Sequence, residues 1–175
     1  MTGTSQHHAP ARIGSHPEPT RRSRRHLALL TVHVASAVAL LGTDLVLLAL
    51  GVSGARGADP RTVYPAASLA ASWLVAPLAF VALGTGVVQA VVRSWGLVRY
   101  WWTTVKLVTT AAFTLLVLFV LTPGLADRAA AAMDGAALTT AQRLPLAIVP
   151  AVAVAAIVVN IVLGLAKPRA RLRRG

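Results

Sequence analysis

His33 and Lys106 are the residues of this chain whose types and positions could do chemistry. Each stands inside a long apolar run, where lipid penalises an ionisable side chain, so each marks a functional-site candidate. An imidazole titrates near neutrality and is the commonest metal ligand, which makes His33 the candidate metal or axial ligand. Three further polar residues lie in apolar runs: Asp44, Gln89 and Asn160.

Depth places these side chains. His33 is seven positions after the expected start of its span at His26, and Lys106 is six after Tyr100. At 1.5 Å per residue, both sit roughly 9–10 Å inside one boundary. Asn160 lies six positions before the expected end of the last span at Ala166, and Gln89 is close to the end of the second. Each helix thus offers one strongly polar side chain at a similar depth, and the four are expected to converge on one interior site. Asp44 follows His33 by 11 residues, about three turns, and shares its face nearer the opposite boundary. Plainer roles compete for every one. Lys106 can snorkel to the headgroups, Gln89 can be interfacial, and Asn160 can bond across helices. His33 can be a neutral ring bonded to a backbone carbonyl, and Asp44 an interfacial carboxylate.

Four apolar segments position these residues: His26–Leu50, Pro65–Val92, Tyr100–Leu121 and Leu144–Ala166. A span needs about 20 apolar residues, and all four reach that. The expected fold is all-α, a four-helix transmembrane bundle in the plasma membrane. Residues 1–25 form a polar, basic tail with prolines at 10, 17 and 19, expected to be disordered, and 167–175 form a basic C-terminal tail. Pro77 predicts a tilt or kink in the second span. Residues 51–64 and 122–143 read as connecting loops, the second with an alanine run, Ala129–Ala132, able to form a short surface helix. Small-residue pairs, Ala35 with Ala39 and Ala82 with Gly86, let helices approach.

Orientation follows from lysines and arginines near the span ends. The tails and the segment between spans two and three carry 12 of them; the other side carries Arg56, Arg61, Arg128 and Arg143. Both termini are therefore expected to be cytoplasmic. Ser23-Arg24-Arg25 ahead of an apolar run resembles a twin-arginine signal with a cleavage site near Ala37, but the run continues to Leu50, span length rather than signal length.

Composition agrees with a membrane protein. Of 175 residues, 56% are hydrophobic and 13% charged, about half the charge of a soluble domain. The net charge of +12 clusters beside apolar runs, which points to topology signals and anionic lipid headgroups at the cytoplasmic face. Nucleic acid is not an expected partner, since aromatic residues are few and no basic domain exists. No cysteine is present, so thiolate metal sites and cysteine nucleophiles are excluded. Nucleotide, zinc and hydrolase motifs are absent. The stretch from Arg93 to Trp102 packs Arg93, Arg99, three tryptophans and Tyr100 together. It reads as an interfacial aromatic belt with basic anchors, or as a rim for an anionic ligand, since arginine pairs with carboxylates bidentately.

Gly86-x-x-Gln89, Trp95-Gly96-Leu97, Tyr100-Trp101 and Lys106, with His33 early in the first span, resemble a bacterial four-span integral-membrane family of no assigned activity. The resemblance covers spans one to three well and span four poorly. More distantly, the chain is similar to membrane proteins of the HemJ and copper-resistance-D type. HemJ proteins have a His in the first span and a Lys in the third, and are associated with haem binding and protoporphyrinogen oxidation. That resemblance implies haem with His33 as axial ligand and Lys106, Arg93 and Arg99 as partners of its propionates.

Three functions compete. A structural or partner-binding bundle, a homo-oligomer or the companion of another membrane protein, ranks first and is not an enzyme. A haem- or metal-binding bundle ranks second. A proton or small-solute pathway through His33, Lys106 and Asp44 ranks third, because no pair of interrupted helices in matching positions is apparent.

Overall fold

The computed structural model describes residues 21–92 and 101–166, and among them there is helix and no strand. Helix α1 spans Arg21–Ala55. The second crossing is α2 (Pro60–Ala70), a π turn (Ala71–Val75) and α3 (Ala76–Val92) in one continuous rod. The third is α4 (Trp101–Leu116), a π turn (Val117–Leu121) and α5 (Thr122–Met133). The fourth is α6 (Thr140–Ala166). Four helices are thus long and apolar enough to cross a membrane, as a multi-pass membrane protein requires. The even number of crossings places the two chain ends on one side of the bundle, here the termini side, and the two short connections on the other, the loop side. Helix α1 lies between α6 and α3; α3 neighbours α4, and α2 packs on α5.

The helices run further than the apolar segments suggested. The first begins at Arg21 and ends at Ala55, so Arg21–Arg25 are helical and Gly51 and Gly54 belong to α1 rather than to a loop. The second starts at Pro60, with Asp59 as N-cap: its carboxylate accepts from the Arg61 amide at 3.0 Å, and Pro60 fills the first helical position, where no N–H is needed. The 122–133 stretch forms a helix, but it prolongs the third span, and its Leu125 and Ala132 are buried. The connections shrink to tight turns, each with one glycine at positive φ, Gly57 at 96° and Gly135 at 81°.

A helix of 33 residues is about 50 Å long, against about 30 Å of hydrocarbon. The loop-side halves of spans two and three build a core with α1 and the start of α6. Leu47, Val63, Tyr64, Ala67, Ala71, Leu121, Leu125, Ala132, Leu138 and Leu146 pack there. Arginines close its rim on backbone carbonyls at helix ends and in the connection before α6: Arg61 Nε donates to Ala132 O (3.3 Å), and Arg143 donates to Leu138 O (3.0 Å) and Gly54 O (3.3 Å). At the start of helix α6 the Gln142 side chain reaches back, its Oε1 accepting from the Thr139 amide at 2.8 Å and from the Thr139 hydroxyl at 3.0 Å.

Both π turns stand just ahead of a proline, Pro77 in one case and Pro123 in the other. Proline lacks the N–H and crowds the preceding turn, and a widened turn is one way to accommodate it. The disturbance expected at Pro77 therefore takes the form of a π turn, and span three carries a matching one. The two turns meet each other in the bundle.

Candidate functional site

Helix α1 presents one inward stripe: His33, Ser36, Leu40, Asp44, Leu47, Gly51 and Gly54, spaced by three and four residues as a buried helix face requires. Two polar clusters form along it.

The first lies towards the termini. His33 Nδ1 is 3.0 Å from Ala82 O and 3.1 Å from Thr85 Oγ1 on α3. A carbonyl only accepts, so this bond network assigns the proton to Nδ1. The Thr85 hydroxyl donates in turn to Val81 O at 2.6 Å, and Ser36 Oγ donates to His33 O at 2.9 Å. Gly86 is what lets the ring come so close: a Cβ there would stand 3.2 Å from His33 Cε1. One turn further towards the termini, Gln89 Nε2 donates to Leu29 O at 3.1 Å. The ring and the amide thus tie span one to span two. Lys106, half-buried on α4, lies against α6, where a Cβ on Gly164 would be 3.0 Å from its Nζ.

The second cluster is deeper. Asp44 is 3% exposed and has no hydrogen bond or ion pair among the described residues. It lines a partly open pocket of about 50 Å³ between all four spans, together with Thr109, Thr110, Thr114, Asn160 and an apolar wall that includes Val75 and Val117 from the two π turns. Asn160 Nδ2 reaches Thr110 Oγ1 at 3.4 Å, and its Oδ1 is buried with no partner. Thr114 Oγ1 donates to Thr110 O at 2.8 Å.

The four polar side chains expected to meet at one depth therefore divide. His33, Gln89 and Lys106 stay near the termini side, while Asn160 joins Asp44. Asp44 is buried between the helices. Arg93 and Arg99, expected at a ligand rim, lie outside the described residues, as do residues 1–20 and 167–175. Thr85, Thr110 and Thr114 entered the clusters without having been singled out, whereas Gly86 was expected only as a small residue at a helix contact; the Thr110–Thr114 spacing of four, which puts both hydroxyls on one helix face, was the available signal.

The Nδ1–H bond to a carbonyl is the orientation that a ligating histidine takes, and the Cε1 edge of the ring packs on Gly86. The pocket at Asp44 is not lined by His33. Among the described residues no three histidine, cysteine or acidic side chains gather as a metal site. No protein-family model, no curated protein and no solved structure matches this chain.

Proposed function

We propose that this chain is a non-catalytic bundle of the plasma membrane, with both termini in the cytoplasm, whose interior polar residues hold its spans together. Its outer apolar faces meet lipid or another membrane protein, and its basic tails meet anionic headgroups. One observation carries the reading: His33 and Gln89 use their polar atoms on backbone carbonyls of, respectively, α3 and α1. Groups used in this way are ties between helices, worth about 0.6 kcal/mol on average in membranes and up to about 1.7. The four-span family and HemJ resemblances rest on the quoted residues alone, and the haem role they imply ranks lower because the Nδ1 atom of His33 is already bonded to α3.

The test is a spectrum and a melt on the same detergent-purified protein. With haem added, oxidised and reduced, no Soret band is expected, and His33→Ala is expected to lower stability by about 1 kcal/mol. A Soret band that His33→Ala abolishes while leaving stability unchanged would sink the reading. Alkaline phosphatase fused after Gly135 should be active and fused after Gly175 inactive; the reverse pattern would refute the orientation.

A further inference from the structure

We propose that the cavity at Asp44 binds one monovalent cation, sodium being the species its chemistry fits best. This inference goes beyond the scaffold reading and does not depend on it. A carboxyl that is 3% exposed lines a small pocket with a largely apolar wall and has no protein hydrogen bond or ion pair among the described residues. An isolated buried carboxylate is costly unless a positive charge or a proton joins it. The second observation comes from a different helix: Asn160 Oδ1 is also buried, at the same cavity, and also lacks a partner. Orphaned acceptors from α1 and α6 thus border one small space.

The lining selects the ion. Asp44 supplies two oxygens, and Asn160, Thr110 and Thr114 supply one each. The Thr114 hydroxyl gives its proton to Thr110 O, which leaves its lone pairs for a cation. All of these are hard oxygen donors, with no sulfur or imidazole in the lining, so transition metals are disfavoured. A single carboxylate neutralises a single charge. Magnesium holds several waters and calcium takes six to eight oxygens, which a 50 Å³ space and one carboxylate do not supply. That volume accommodates a small ion and a few waters, since one water needs about 10–15 Å³ of such space. Val75 and Val117 place both π turns in the wall, and single π turns inside α-helices occur frequently at functional sites.

The experiment melts the full-length protein in detergent across a sodium chloride series, with choline chloride holding ionic strength constant. A specific ion stabilises the folded state by mass action. The melting temperature is expected to rise with sodium by several degrees and then saturate. Asp44→Asn should remove the rise, and Thr114→Val should move its midpoint to about tenfold higher sodium. If Asp44→Asn yields no folded protein, the Thr114→Val midpoint decides. Wild-type melts that do not respond to sodium would overturn the proposal, including the case in which they follow pH alone and Asp44 simply carries a proton. A sodium response unchanged in the variants would also overturn it, because the ion would then sit elsewhere.

Discussion

Gly51→Ala is the substitution for which the structure gives the sharpest expectation. Helix α1 crosses α6 at this glycine. A Cβ built there would overlap the Leu146 carbonyl oxygen, and would lie 2.5 Å from Leu146 C and 2.6 Å from Ala147 N. The obstacle is backbone, which cannot rotate away. Its position has a cause in the sequence: Pro150 stands four residues after Leu146, and a proline has no N–H for the carbonyl at i−4. The Gly51 hydrogen that takes the Cβ direction points at this orphaned oxygen, a Cα–H contact of the sort common where helices meet. An alanine would remove that contact and push the helices apart by about 1 Å, and a gap of that size costs facing atoms a quarter to a half of their attraction. Leu47 and Leu146, 0% and 2% exposed, lie at this crossing. Overpacking of this sort costs about 1–3 kcal/mol, and rigid backbone puts the site at the upper end. Alanine returns about 0.5–1 kcal/mol of helix propensity, so a net loss of about 2 kcal/mol is expected. Gly42→Ala is the matched control, since the same helix offers nothing within 4 Å of a Cβ there; it should be neutral or stabilising. Unfolding in mixed micelles, followed by helical circular dichroism, gives both values. The two alanines should differ by about 3 kcal/mol, because propensity cancels between them. A difference under about 0.5 kcal/mol would refute the claim that α1 and α6 meet backbone to backbone at Gly51.

Three smaller tests use the same assay. Gly86→Ala should cost about 1–2 kcal/mol by displacing the His33 ring, and in a double-mutant cycle with His33→Ala the two losses should fail to add; additivity would mean that ring and glycine do not touch. Gly164→Ala should cost under about 0.5 kcal/mol, since the atom in its way is the flexible end of Lys106; a larger loss would mean that the ammonium is fixed in place. Tyr64→Phe should be neutral or slightly stabilising, because the Tyr64 hydroxyl is buried with no partner among the described residues; a loss above about 1 kcal/mol would reveal a bond to that hydroxyl.

The four spans were legible because an apolar run of some 20 residues is a burden in water and at home in lipid. Their loop-side ends were not. Gly51, Ser53 and Gly54 carry local turn chemistry, as do Thr122, Pro123 and Gly124, yet all six are helical. Tertiary packing overrides local preference here: the two α1 glycines let neighbouring chain approach, and Pro123 follows a π turn that accommodates its ring. The longer helix also changes the place of Asp44 along α1: it lies about 9 Å from Leu50 but about 16 Å from the helix end at Ala55. The ionisable residues of the clusters were legible from their types. Their partners were not, because which helix faces which is a long-range fact. No periodicity within α6 says that Asn160 meets Thr110 rather than His33.

The two ends of the bundle divide structural and chemical roles, and this makes the cation proposal testable. The apolar cluster from Val63 to Leu146 lies on the loop side of Asp44, closed by arginines bonded to backbone carbonyls. The His33 and Gln89 ties lie on its termini side. Asp44 makes no hydrogen bond or ion pair with either set of described residues. Replacing its carboxylate by an isosteric amide therefore removes charge without removing a contact, and it also relieves the cost of burying that charge. On these grounds Asp44→Asn should fold, and in the absence of sodium it should melt at or above the wild-type temperature. A protein whose helices needed Asp44 as a tie would show the opposite, a loss of stability in the amide variant that sodium neither causes nor cures.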